Sequence, residues 1–192
     1  YLDYPVCRTD DSVEIQLQQR HFAYIPLDAF APILSDLISL RNVMGLRSPI
    51  HTLARLINPF DAKATLQSIF HPAYRSSHQQ AAFQLGYKNS AVIKGEGGEF
   101  ERNPDAKTLI CGIKNGELYE YELPKLTPER SPIEEELDLE VFKAVWLGQQ
   151  QHDYGEMAVT ETIGIALYTM GVVSSFDEAM IKAKELWESR KI

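Results

Sequence analysis

The chain has 192 residues, 44% hydrophobic and 24% charged, with a formal net charge of −8 at pH 7. That is enough for one sizeable domain and its core, with the composition of a soluble globular protein. No apolar run approaches a membrane span, and the mixed, polar start YLDYPVCRTDD is not a signal peptide. The start also lacks an initiator Met, so the chain is expected to be part of something longer. Cys7 and Cys111 stand alone, without CxxC or Cys/His spacing. They argue against zinc and a disulfide scaffold and for a reducing compartment, so the expected location is the cytoplasm.

In chain order, 22–26 reads as a short strand after the polar LQQRH run. Between 30 and 43, Phe30, Ile33, Leu34, Leu37, Ile38 and Leu40 have helical spacing, and Gly45 ends the helix. Ser48-Pro49 opens a helix to about Leu56, which Asn58-Pro59 stops. Residues 65–70 read as a strand, 73–86 as a helix closed by Gly86, and 89–93 as a strand. After the loop KGEGGEFERNPD (94–105), runs 107–113 and 118–123 flank Lys114-Asn115-Gly116, a strong hairpin signal. Residues 124–136 hold three prolines and several charges, an internal surface loop. Three helices follow, about 137–149, 153–170 and 175–190, the last with Ser175 and Glu178 as a capping box. The whole predicts one α/β domain over 1–192, a partly parallel sheet covered by helices.

Charge is uneven. Residues 41–114 carry ten basic and five acidic groups, whereas 117–192 carry seven basic and sixteen acidic. A cationic middle concentrates anions whatever the net charge, although a solvated surface is the plainer explanation. The glycine loop admits two readings. Its backbone N–H groups suit an anion, and Glu96, Glu99 and Glu101 offer oxygen ligands for magnesium. With no Walker pattern, an exposed acidic turn is the better explanation of the loop taken alone. Arg41, Arg47 and Arg55 cluster around a glycine turn and a helix start, which suits an anion, or they are surface arginines covering apolar area. His21, His51, His71, His78 and His152 form no metal or triad pattern.

The order of these pieces resembles the C-terminal part of the anthranilate phosphoribosyltransferase family. The family's VRxxLGIRTxFNLLGPLLNP stretch is similar to residues 40–59, LRNVMGLRSPIHTLARLINP. Its VHGxxGxDE loop is similar to Val92–Glu101, its dGxixEYxL hairpin to Asn115–Leu123, and its NAAxAL helix to Glu161–Leu167. The resemblance implies the C-terminal portion of a catalytic α/β domain, with an upstream helical domain, through which such proteins dimerise, missing from this chain. The family's GTGGD loop, which binds phosphoribosyl pyrophosphate, is missing with it.

The departures carry the functional expectation. Where the family has a magnesium-binding Asp-Glu pair, this chain has Phe100-Glu101. Where it has Gly-Pro beside the anthranilate pocket, this chain has Ala54-Arg55. The HPAMK segment appears as Ala31-Pro32-Ile33-Leu34-Ser35, without its His and Lys, while Arg41 keeps the position that contacts anthranilate. These changes resemble those of paralogues that bind DNA or RNA with little sequence preference, whose loop has a KGxGGExERNP form. That resemblance implies nucleic acid as partner, with Arg41, Arg47, Arg55, Lys94 and Arg102 as anion-binding residues. Arg75, Lys88 and Phe100 join them as further nucleic-acid contacts. The alternative is a working transferase that uses phosphoribosyl pyrophosphate, with magnesium on Glu101 and Glu99.

Overall fold

The computed structural model describes residues 4–46, 48–95, 97, 99–131 and 138–190. Where the sequence reads as one domain, the chain divides into two compact units, Tyr1–Pro59 and Phe60–Ile192. Among its described residues the first holds five helices: α1 (Asp10–Arg20), α2 (Leu27–Phe30), α3 (Pro32–Ser39), α4 (Arg41–Met44) and α5 (Ile50–Leu53), the last running into a 3-10 turn, Ala54–Leu56.

Helix α1 has no helical apolar stripe, because Val13, Ile15 and Leu17 alternate as they would in a strand. Its ends hold it. Thr9 and Ser12 exchange side-chain-to-backbone hydrogen bonds in a capping box, Asp10 and Asp11 sit in the first turn, and Arg20 sits in the last. The strand expected at 22–26 is a single parallel bridge, Val6 to Tyr24. The helix expected across 30–43 is cut at Ala31 (φ −142°, ψ 65°), because Pro32 at the first helical position bars the preceding residue from helical geometry.

The second unit carries one four-stranded sheet in the order β1 (Thr65–Ile69), β2 (Ser90–Lys94), β3 (Thr108–Lys114), β4 (Glu117–Leu123). β1 and β2 are parallel, joined through a 3-10 turn (Pro72–Tyr74) and α6 (Arg75–Gln84); β2–β3 and β3–β4 are antiparallel. This is the expected partly parallel sheet with helical cover. Asn115 (φ 53°) and Gly116 (φ 83°) make the two-residue turn that the Asn-Gly pair predicts. Three helices follow: α7 (Leu139–Trp146), α8 (Asp153–Thr169) and α9 (Phe176–Glu188). The capping box expected at Ser175 is half made. Ser175 accepts from Glu178 N–H, but the Glu178 carboxylate reaches Ser174 instead. Residues 124–131 are irregular, as expected of a surface loop, while 132–136 lie outside the described residues.

Both faces of β2 are covered. Ala91 and Ile93 join Ile110, Leu123, Ile165 of α8 and Phe176 of α9 in the buried core. On the other face Gln67, in register with Val92, meets His78 of α6. Gln79 of α6 donates to the carbonyls of Gly112 and Tyr119 at 2.7 and 2.9 Å, tying the helix to the hairpin. Cys7 and Cys111 are buried free thiols, and burial, with Glu120 beside it, pushes the Cys111 thiol up to about 11. Cys111 therefore stays protonated and unreactive near neutral pH.

Candidate functional site

Parallel strands direct their carboxyl ends to one edge of a sheet, where α/β folds bind ligands. Here that edge is Ile69 and Lys94, which face each other in register. From β1 the chain passes into the turn that delivers Arg75 at the start of α6. From β2 it passes into the glycine loop, which returns to β3 at Thr108. These segments enclose a cavity of about 300 Å³, walled by Arg75, Lys94, Glu99, Glu101, Lys107 and Tyr154 among others.

Gly95 sets the path of the loop. Its N–H donates to the Ile69 carbonyl at 2.9 Å, and a Cβ there would lie 2.1 Å from the Glu99 carbonyl and 3.0 Å from Ser68 Oγ. Only glycine allows the loop to fold so closely on itself. Two of the loop's N–H groups, those of Gly95 and Gly97, are not open to an anion. Gly97 N–H donates to Glu99 Oε2 at 2.7 Å, so a side chain of the loop already occupies that donor.

The structure sorts the expected residues sharply. Arg75 and Lys94 meet at the cavity with Glu99 and Glu101. The Arg75 Nε is buried and has no hydrogen-bond partner among the described residues. Arg102, expected to bind anions, is fully buried (0% exposed). Its guanidinium donates to the carbonyls of Asn103, Pro124 and Ala106, the last at 2.7 Å. Its own N–H donates to Thr162 Oγ1 of α8 at 2.9 Å. Burial lowers the Arg102 guanidinium pKa, opposed by the nearby Glu161 carboxylate. Burial in turn pushes the Glu161 carboxyl above its ordinary range, opposed by Arg102. Arg102 thus fastens the loop to α8 and the 124–131 segment, and it offers nothing to solvent.

Two more expectations are corrected by position. Phe100 is not an exposed stacking ring but packs against the core around Ile93 and Ile110. Lys88 lies before the amino end of β2, where its carbonyl accepts from Gly116 of the hairpin turn. That is the edge opposite Lys94, about 20 Å away along a five-residue strand and its approach. Arg41 is exposed at the start of α4 and Arg55 is half-buried in the 3-10 turn, both within the first unit. Arg47 lies outside the described residues, as does Glu96.

Lys107 and Tyr154 belong to the cavity but carried no sequence signal. Lys107 read as the first residue of a strand, and Tyr154 as an ordinary first-turn residue of a helix. A hydrogen bond to Glu122 at 2.8 Å raises the Lys107 pKa, so it remains a cation.

Magnesium needs converging oxygen ligands. Among the described residues no group of three or more His, Cys, Asp or Glu converges. Glu99 and Glu101 share the cavity with Arg75, Lys94 and Lys107; Glu99 holds the Gly97 N–H, and Lys107 is paired with Glu122. The set fits an anion better than a bare divalent ion. No helix among the described residues is long and apolar enough to cross a membrane.

The sequence profile of the glycosyl transferase family, a/b domain, matches residues 1–191. An anthranilate phosphoribosyltransferase of Polaromonas sp. is 30% identical over 82% of this chain and 47% of its own length. An uncharacterized protein of Aquifex aeolicus is 29% identical over 82% of this chain and 52% of its own. The chain therefore spans about half the length of the curated relatives it matches. Among solved structures, the anthranilate phosphoribosyltransferase of Thermus thermophilus superimposes with a TM-score of 0.71 at 21% identity, over 92% of this chain and 54% of that one. The Saccharomyces cerevisiae enzyme in complex with PRPP and Mg gives 0.65 at 17%, over 95% and 55%.

Proposed function

The chain belongs to the glycosyl transferase family, a/b domain, and from that premise we propose that it binds nucleic acid through its phosphates, without sequence preference, rather than transferring phosphoribose to anthranilate. The observation that carries the proposal is the cavity at the carboxyl edge of β1 and β2. Three cations, Arg75, Lys94 and Lys107, line it, while Phe100, at the position where the resemblance expects a metal-binding Asp, is packed into the core. A cavity with cations and without that carboxylate suits phosphate itself better than a metal-assisted pyrophosphate. The cavity is small and the loop N–H groups are partly used, so it grips single phosphates of a flexible strand rather than a duplex groove. Arg41 and Arg55 of the first unit, and the homodimer that the resemblance implies, also belong to this proposal.

Phosphate-driven binding follows salt. With three phosphates neutralised, the logarithm of the binding constant falls against the logarithm of salt with a slope of about −2 for a single strand. Fluorescence anisotropy with single-stranded DNA at low and moderate salt measures it. Absent binding, or binding indifferent to salt, rejects the proposal.

One observation favours a second reading. Glu99 and Glu101 share the cavity, so a magnesium–pyrophosphate ion pair would find both carboxylates and cations there. Pyrophosphate release with magnesium, phosphoribosyl pyrophosphate and a panel of aromatic acceptors tests this. Turnover with any acceptor establishes the transferase.

A further inference from the structure

A second cavity adjoins the first. It measures about 530 Å³, and Glu101 and Tyr154 line both. Its other wall is aromatic: Phe142 and Trp146 from α7 and Trp187 from α9. Phe142 is 46% exposed, although it lies on an amphipathic helix whose apolar residues would ordinarily be covered. The frame around it is firm. Trp146 and Trp187 meet edge to face at 6.2 Å. Arg190 lies over the Trp187 ring and donates to the carbonyls of Trp146 and Val145, locking α7 against α9. At the rim, His152 Nδ1 accepts from Gly155 N–H at 3.0 Å, which leaves Nε2 as the protonated nitrogen.

A cation-lined cavity and an aromatic cavity with a common wall match the two halves of a nucleotide, an anionic phosphate and a flat ring. A ring placed against Phe142 and Tyr154 gains stacking without any sequence requirement, because every base has a π-face. Glu101, on the shared wall, can accept from a base N–H, such as N3–H of thymine. We propose that the aromatic cavity holds one unpaired nucleobase whose phosphate lies in the Arg75–Lys94–Lys107 cavity. This rests on the nucleic-acid reading above and adds to it that the bases, not only the phosphates, are gripped.

The chain's two tryptophans, Trp146 and Trp187, both line this cavity, so intrinsic fluorescence reports its occupancy. Titration with an oligothymidylate of about 12 nucleotides is expected to quench that emission, whereas an abasic deoxyribose-phosphate oligomer of equal length binds more weakly and leaves it unchanged. Phe142→Ala is expected to weaken oligothymidylate binding about tenfold with the salt slope retained, and Phe142→Tyr to restore it. If the two oligomers bind equally, with steady emission and no effect of Phe142→Ala, the base pocket is wrong while the phosphate site stands. If neither oligomer binds, both the pocket and the nucleic-acid reading fall.

Discussion

The two halves of one loop make opposite uses of charge. Lys94, Glu99 and Glu101 are exposed and line the cavity, where a cation and two carboxylates stand together. At Arg102 and Asp105 the charged groups instead bond within the protein. Arg102 satisfies three carbonyls, Pro104 is fully buried, and Asp105 accepts from Thr127 and from the N–H and hydroxyl of Ser131. Arg102 and Lys94 look equivalent in a list of basic residues, yet one is a structural bolt and the other a surface charge. The difference comes from backbone demand. A loop crossing beneath a helix leaves carbonyls without partners, and a guanidinium with five donors is the side chain best able to satisfy several together.

The largest expected effect tests the inward half. Arg102→Met leaves buried carbonyls unsatisfied and removes the larger of the two cationic influences on Glu161, the other being Lys184, and is expected to destabilise the fold by about 3–5 kcal/mol, read from the urea midpoint. If the midpoint holds and nucleic-acid affinity falls instead, the division of the loop is wrong. Phe100→Asp restores the carboxylate that the family resemblance expects, but at a position packed on the core. A loss of about 3 kcal/mol is expected, with no Mg²⁺-dependent rise in thermal stability. A metal-dependent rise would show that the side chain can turn to the cavity.

Gly95→Ala drives a Cβ into the Glu99 carbonyl and is expected to cost about 1–3 kcal/mol while disturbing the outward half. On the cavity itself, Arg75→Ala and Lys94→Ala are each expected to shallow the salt dependence of binding by about 0.7, while Lys88→Ala, at the other edge of the sheet, leaves it unchanged. Equal effects at all three positions would dissolve the distinction between the edges. The smallest effect concerns Asp105. The Thr127 hydroxyl, then Ser131, holds its carboxyl below the ordinary 3.8. A depressed carboxyl adds stability above 3.8 that is lost as pH falls through the folded-state value, so Asp105→Asn should flatten the acid limb of the stability curve below about pH 4.

Much of the second unit was legible. Periodicity located β1, β2, α6, α8 and α9 to within a few residues, and Asn115-Gly116 announced its own turn. These signals are local, since they reside in φ/ψ preference and in which faces alternate. α1 was not legible, because its alternating apolar residues imitate a strand and its helix comes from Thr9, Ser12 and the end charges. The break at Ala31 was written in Pro32 but outweighed by the apolar spacing around it. At the site, the loop and its glycines were visible, whereas Lys107 and Tyr154 were not, because they reach the cavity from segments distant in sequence.

By itself the sequence determined the order of strands and helices in residues 60–192, the hairpin, the family, and the identity of Phe100 where the family resemblance expects an acid. Those features depend on residue identity and near-neighbour spacing. Only the tertiary structure decided which charges face the cavity. It turned Arg102 inward, laid Phe100 on the core, and joined Arg75 to Lys94 across two strands. In an irregular loop the direction of a side chain follows the backbone path. Here that path is set by long-range bonds, Gly95 to Ile69 and Arg102 to Thr162, which no local pattern encodes.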